Sequence, residues 1–196
     1  MNGLTVIIPV KPPEPYLEVL TSKIRGWLYR IPHEIFIQTE LGLTNAVIKG
    51  VEKSRYEAIA IMDADGSHDP KALLGMYSLL REHELVVGSK ATGETEEPLI
   101  RRFISYMYRG LARTILDIEI GDPMSGYVMG RKYIFKTLKS SMDYKFLLQL
   151  LTSNRSVRVK EIPIIFGKRK SGKSKATLRT GLSTFSMIMR LWWKQS

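Results

Sequence analysis

The stretch "AIAIMDADGSHDP", residues 58–70, decides how this chain is read. Five apolar residues, Ala58 to Met62, run without a polar interruption and end abruptly in Asp63, Ala64 and Asp65, with a further acid at Asp69. An apolar run of that length closed by a turn signal reads as a strand buried on both faces, which belongs in a parallel sheet covered by helices. Ligands of such sheets bind beyond the carboxyl ends of the strands. Asp63 and Asp65 stand at such an end, and residues i and i+2 of an extended segment project to the same side. Two carboxylates this close repel unless a divalent cation sits between them and a phosphate, and oxygen-only donors suit magnesium or manganese. An isolated D-x-D often just caps a helix and faces water. Placement directly after a buried strand is what gives the metal reading its weight.

Working outward, "LTVIIPV" (4–10) reads as a buried strand, "HEIFIQT" (33–39) as a second and "LVVGS" (85–89) as the fourth, with 58–62 as the third. Residues 16–29, 43–54 and 70–83 have helical spacing, the last opening with Pro70 after Asp69 as N-cap. Strands alternating with amphipathic helices predict an α/β fold, a mostly parallel Rossmann-like sheet with helices on both faces. Beyond residue 90 the pattern changes. A polar loop, 91–98, precedes an amphipathic helix over 99–116 with an apolar line through Ile100, Ile104, Met107, Leu111 and Ile115. Arg102, Tyr106, Arg109 and Arg113 make a second line on that helix. Residues 121–135 combine a turn with a short strand, 144–153 is helical, 157–166 alternates like a strand, and 176–193 forms a closing helix ending in Trp192 and Trp193.

The chain has 196 residues and no cysteine, which removes thiol chemistry and cysteine zinc sites. Its three histidines, His33, His68 and His83, are too few for a histidine-rich metal centre. No signal-like leader and no apolar run of membrane-spanning length appear. The expectation is a single domain, cytoplasmic and peripheral at the inner face of a membrane. The net charge of +11 is unevenly placed: residues 1–98 carry 10 Lys/Arg against 14 Asp/Glu, and residues 99–196 carry 20 against 5. The second half is therefore expected to meet an anion, whether nucleic acid, anionic membrane or a phosphorylated substrate. No nucleic-acid module is visible, which puts nucleic acid last. "GKRKSGKS" (167–174) also matches the phosphate loop G-x-x-x-x-G-K-[ST], in which Lys173 and Ser174 would act. Only 22 residues follow it, too few for the strands that complete that fold.

Six segments in order carry a resemblance: "GLTNAVIKGVEKS" (42–54), "IMDADGSHDP" (61–70), "VVGSK" (86–90), "RRFISYMYRGLAR" (101–113), "DPMSGYVMGRK" (122–132) and "EIPIIFGKRKSGKSK" (161–175). In this order and spacing the chain resembles family-two glycosyltransferases of the GT-A fold, most closely the polyprenyl-phosphate glycosyltransferases, the group of dolichyl-phosphate mannose synthase. The resemblance implies a metal-dependent, inverting transfer of a sugar, mannose or glucose, from a GDP- or UDP-sugar to a polyprenyl (dolichyl) phosphate, with Mg or Mn as cofactor. Residues 1–90 would form the nucleotide-sugar half and 91–196 the basic, acceptor-binding half. The resemblance places donor contacts at Pro9, Asn45, Asp63, Ala64, Asp65, Arg169 and Lys175. It places acceptor-phosphate contacts at Lys90, Arg102 and Ser105, and metal contacts at Asp63, Asp65 and Ser67. Asp65, Lys90 and Arg169 would act in catalysis. Helix 99–116 falls where the family has an interfacial helix, and with the closing helix it implies contact with an anionic membrane surface.

The chain departs from the family pattern in several places. "PVKPP" (9–13) replaces the usual Pro-Thr-Tyr-Asn-Glu, and "IFIQTELGL" (35–43) runs into the next helix without the acidic turn that holds base and ribose. Lys90 stands where an arginine is common, and an ammonium cannot grip phosphate bidentately. These departures favour the alternative of a non-catalytic relative binding phospholipid or a partner subunit, while the intact Asp63/Asp65 pair argues against it.

Overall fold

The computed structural model describes residues 2–40, 42–90, 99–140, 145–168, 170 and 178–194. Six strands form one sheet: β1 (Leu4–Pro9), β2 (His33–Gln38), β3 (Ala58–Ile61), β4 (Leu85–Ser89), β5 (Val128–Arg131) and β6 (Val159–Pro163), in the order β2-β1-β3-β5-β4-β6. Among the described residues seven helices accompany them: α1 (Leu17–Trp27), α2 (Leu43–Lys53), α3 (Ala72–Leu79), α4 (Leu99–Leu116), α5 (Lys132–Phe135), α6 (Phe146–Ser153) and α7 (Leu178–Trp193).

Side chains alternate across the central strands, so each strand feeds two cores. Leu4, Val6, Ile8, Ala58, Ala60 and Val86 pack with Leu20 and Ile24 of α1 and Leu73 and Met76 of α3. Ile7, Ile59, Ile61, Leu85 and Val87 pack on the opposite face with Val47 and Val51 of α2 and Phe146, Leu147 and Leu150 of α6. This double burial explains the near-continuous apolar runs of β1, β3 and β4. A third cluster joins Ala112 and Leu116 of α4 to Leu148 of α6 and Met187 and Ile188 of α7.

β1, β2 and β3 pair in parallel, as do β4 and β6, but β5 runs antiparallel between β3 and β4. The short strand was expected in 121–135; its reversed direction was not. The reversal brings its amino end, and the loop before it, to the carboxyl ends of β3 and β4. β6 is shorter than the alternating pattern over 157–166 predicted, since it lies at the sheet edge and Pro163 lacks an N–H to continue the ladder. α3 stops before residue 83 because Arg81 and Glu82 bond i−3 carbonyls, tightening the last turn. Its start is later than read: α3 opens at Ala72 with Lys71 in the N-cap position and no side-chain cap bond, and Asp69 Oδ1 instead accepts the Lys71 N–H at 3.0 Å in the turn before the helix.

Gly50 sits where α2 crosses β1, and a Cβ there would come within 2.6 Å of the buried Ile7. Gly75 of α3 has nothing within 4 Å of such a position. Denaturant unfolding should therefore show Gly50→Val destabilised by about 1–3 kcal/mol through overpacking, while Gly75→Ala gains up to about 1 kcal/mol from helix propensity.

Candidate active site

The acid turn is built by local hydrogen bonding. Met62 still bonds β1, its N–H donating to Ile7 O at 3.2 Å, and the chain then breaks from the sheet. The Asp63 N–H donates to His68 Nδ1 at 3.2 Å. That bond assigns the imidazole proton to Nε2. His68 is buried, its ring stacked on Tyr127 with centroids 4.8 Å apart and edge-on to Phe166 at 5.5 Å. The Ser67 N–H and hydroxyl both donate to Asp65 Oδ1, at 3.0 and 2.6 Å. Gly66 makes the turn possible: its φ is +78°, and a Cβ would meet Tyr16 at 2.6 Å and Lys170 at 2.9 Å.

Two other segments hold this turn. The first follows β6. Gly167 N–H donates to Ser67 O at 3.0 Å, Lys170 N–H to Asp65 O at 2.7 Å, and Phe166 forms an antiparallel bridge with His68. The Lys90 ammonium lies over the Phe166 ring, 4.7 Å from its centroid. The second is the loop before β5. The Glu161 carboxylate accepts the N–H groups of Gly121 and Asp122 at 2.7 and 2.8 Å. The Ser125 hydroxyl donates to Gly88 O at 2.6 Å, and the Tyr127 hydroxyl to Asp69 O at 3.0 Å. Burial pushes the Tyr127 phenol far above its ordinary range, assisted by the Asp69 charge, so it stays a donor. Gly126 backs directly onto the first acid, since a Cβ there would stand 3.4 Å from Asp63 Oδ2.

The same loop carries Asp122, which is only 2% exposed. Burial raises its carboxyl above the ordinary carboxylate range, opposed by the nearby Lys90, Arg109 and Lys145 charges and by a hydrogen bond from the Lys90 N–H. Arg109 Nη1 lies 3.9 Å from Asp122 Oδ2, and that oxygen has no hydrogen-bond partner.

Of the residues singled out from the sequence, Asp63, Ala64, Asp65 and Ser67 form one turn, and Lys90 joins it through Phe166. Ser67 is buried, and its hydroxyl donates to Asp65 and so orients that acid. Pro9 closes β1 at the same edge of the sheet, opposite Gln38. Asn45, in the first turn of α2, accepts the Ser140 hydroxyl at 2.9 Å. Arg102 is exposed and Ser105 half-buried on α4. Arg169, Lys173, Ser174 and Lys175 lie outside the described residues. The phosphate-loop reading of 167–174 does not fit this topology, because β6, which precedes it, is an edge strand rather than a central one. Asp122, Arg109 and Lys145 were missed as site residues. The signal was present, in the motif "DPMSGY" and in the arginine line of α4, but nothing in a linear pattern says which arginine turns inward.

The acid turn offers oxygen donors that suit a divalent cation: two carboxylates stand one residue apart, with Gly126 backing onto Asp63. Among the described residues no group of three His, Asp or Glu side chains gathers to hold a metal.

Residues 16–139 match the family model described as Glycosyl transferase family 2. A dolichol-phosphate mannosyltransferase of Mycosarcoma maydis is 33% identical over 152 residues, 72% of this chain and 51% of that protein. An undecaprenyl-phosphate mannosyltransferase of Micrococcus luteus is 31% identical over 158 residues, 73% of this chain and 64% of that protein. The chain thus spans about half to two thirds of the length of these curated relatives. Glucosyl-3-phosphoglycerate synthase of Mycobacterium tuberculosis, solved with Mn2+, UDP-glucose and glycerol 3-phosphate, superposes with a TM-score of 0.70 at 10% identity, covering 97% of this chain and 78% of that one. Mannosyl-3-phosphoglycerate synthase of Rubrobacter xylanophilus gives 0.68 at 12% identity, covering 96% and 73%. The fold is the GT-A fold.

The raised carboxyl of Asp122 sets a pH-dependent outcome. A folded-state pKa above the unfolded value means the folded protein binds that proton more tightly, so this group's contribution to stability is present below the ordinary value of 3.8 and is lost as pH rises through the folded value. Asp122→Asn, which cannot ionise, should melt at or above the wild-type temperature at pH 7 and lose that advantage on acidification. Thermal unfolding across pH checks this; a lower melting temperature at pH 7 would contradict it.

Proposed function

From glycosyl transferase family 2, to which this chain belongs, we propose a specific activity: inverting transfer of a hexose, mannose or glucose, from a GDP- or UDP-sugar to a polyprenyl phosphate. The observation that carries the proposal is the Asp63/Asp65 turn, bonded through its own backbone to the segment bearing the basic residues. The similarity to dolichol- and undecaprenyl-phosphate mannosyltransferases supports the acceptor class.

In this reading Asp63 and Asp65 face the donor diphosphate, Ser67 fixes the rotamer of Asp65, and Pro9, Asn45 and Ala64 border the donor. A magnesium or manganese ion bound by the two acids supplies charge neutralisation for the departing diphosphate. Arg169 and Lys175 belong to the donor side of the basic segment, and Lys90, with Arg102 and Ser105 of α4, to the acceptor side. The nucleophile is an oxygen of the lipid phosphate, already ionised near neutral pH. It bonds to the anomeric carbon as the bond from that carbon to the nucleoside diphosphate breaks. No general base is needed, and the work left to the protein is to orient two anions and screen them from each other.

Two tests follow. In a thermal-shift panel of UDP and GDP with Mg or Mn, nucleotide should stabilise the wild type only when metal is present, and Asp65→Asn should abolish the shift while the apo protein melts normally. Sugar transfer to a short polyprenyl phosphate should fail in the same variant, and a nucleotide affinity indifferent to EDTA in both proteins would sink the proposal.

The second test concerns the membrane. No helix among the described residues is long and apolar enough to cross one. However, α4 exposes Leu99, Phe103, Ile104 and Met107, and α7 exposes Leu182, Phe185, Trp192 and Trp193. Apolar and aromatic faces on basic helices suit the headgroup region. The protein should co-sediment with anionic vesicles and less so as salt rises, each basic residue near the surface contributing about 1 kcal/mol. Equal binding to neutral vesicles would mean that charge plays no part.

A further inference from the structure

We propose that His68 is the positioning residue of the acid turn: through the lone pair of Nδ1 it fixes the peptide from which the Asp63 carboxylate projects, and so sets the affinity of the turn for a divalent cation. The inference rests on the reading of Asp63 and Asp65 as the pair that holds the metal. It adds a residue that touches neither metal nor substrate.

The two acids are held in different ways. Asp65 is held at its carboxylate, where Oδ1 accepts both the N–H and the hydroxyl of Ser67. The Asp63 carboxylate accepts no hydrogen bond among the described residues. Its direction is therefore inherited from the backbone. Met62 makes the last bond to β1, its N–H donating to Ile7 O, and the next N–H, that of Asp63, has left the ladder. Inside a protein such an N–H needs an acceptor. His68 Nδ1 supplies it at 3.2 Å, from five residues along the chain. That bond closes the turn into a ring and fixes the plane of the peptide between Met62 and Asp63.

Histidine suits the task for two reasons. Its ring packs: it stacks on Tyr127 with centroids 4.8 Å apart and meets Phe166 edge-on at 5.5 Å, which leaves the residue 3% exposed. The same ring, when neutral, carries an acceptor nitrogen, which the rings of phenylalanine and tryptophan lack. The acceptor that holds Asp63 is thus itself held from two sides, by Tyr127 just before β5 and by Phe166 after β6. Phe166 and His68 are also bridged through their backbones. A ligand fixed by a packed outer partner binds its ion more tightly than one free to rotate, and loss of such a partner costs roughly tenfold to a hundredfold in metal affinity.

Two substitutions take the functions of the ring apart. His68→Asn keeps an acceptor, because Oδ1 of asparagine is attached to Cγ as Nδ1 is, but it has no ring. His68→Phe keeps the ring and has no acceptor. Manganese binding in the presence of UDP or GDP, followed by electron paramagnetic resonance, reads the difference, with thermal unfolding of each metal-free protein and sugar transfer measured in parallel. His68→Phe should stay folded, since the ring contacts persist, yet bind manganese about tenfold more weakly than the wild type. His68→Asn should melt at a lower temperature and, where folded, bind manganese as the wild type does. The wild type provides a check that needs no variant. In heteronuclear magnetic resonance, Nδ1 of His68 should be the unprotonated ring nitrogen and show scalar coupling across its bond to the Asp63 amide. A protonated Nδ1 would overturn the inference. So would manganese affinity that follows the ring rather than the acceptor, with His68→Phe like the wild type, or that falls equally in both variants. Manganese binding without sugar transfer in the wild type would sink the transferase reading and leave the role of His68 standing, whereas a wild type that binds no manganese would sink both.

Discussion

The hydrogen-bonded turn that holds Asp63 and Asp65 is the constraint around which the carboxyl edge of the sheet is arranged. Two acids one residue apart at the tip of a buried strand have to be held in place once the chain leaves the sheet. Here the fixing is thorough. His68 takes the N–H of Asp63, Ser67 holds one oxygen of Asp65, and the carbonyls of Asp65 and Ser67 accept N–H groups from the segment after β6. The turn that carries the acids is thus held by Ser67, His68 and backbone hydrogen bonds. His68, wedged between Tyr127 and Phe166, makes that orientation a property of the packed core rather than of a loop.

The antiparallel β5 gives this arrangement its second side. Inserted between β3 and β4, it turns its amino end toward the acids and delivers Asp122, Ser125, Gly126 and Tyr127 to the edge where a parallel strand would have delivered only its own carboxyl end. Glu161 of the edge strand then caps the loop from the far side. Acid turn, β5 loop and the segment after β6 are three pieces of one hydrogen-bonded frame, so a shift in any of them is felt at Asp63 or Asp65. On the proposed reading a transfer between two phosphates would need that rigidity, because small errors in the line of attack cost large factors in rate.

Much of this was legible in the sequence for a physical reason: strands buried on both faces must be apolar throughout, and helices covering them must be amphipathic. β1, β3 and β4 and helices α1 to α3 declare themselves on that ground, and the acids at the end of β3 mark the binding edge. What was hidden depends on direction and depth. The four residues of β5 carry no signal of polarity, since parallel and antiparallel pairing accept the same apolar pair of faces. On α4 the arginines at 102, 109 and 113 look alike in a helical projection, yet only Arg109 meets a buried carboxylate, and that carboxylate comes from a loop 13 residues later. Ser67 shows the opposite case, a residue placed correctly in the motif whose hydroxyl faces its neighbouring acid.

The uneven charge of the chain acquires a structural meaning at this edge. The acidic half contributes Asp63 and Asp65, the basic half contributes Arg109 and Lys145, and Lys90 stands at the junction between them. Opposite potentials are thereby separated across the short loop from Asp122 to Gly126. On the proposed reading the separation sorts the two anions. The donor diphosphate would be drawn to the acids with a cation, and a lipid phosphate to the basic half of the chain. On the same reading α4 would serve both requirements of a lipid acceptor, since Phe103, Ile104 and Met107 are exposed in its first half and Arg109, within two turns of Phe103, turns inward. An apolar chain lying along the first surface would carry its phosphate toward the second, so the charged end enters the site while the hydrocarbon never has to.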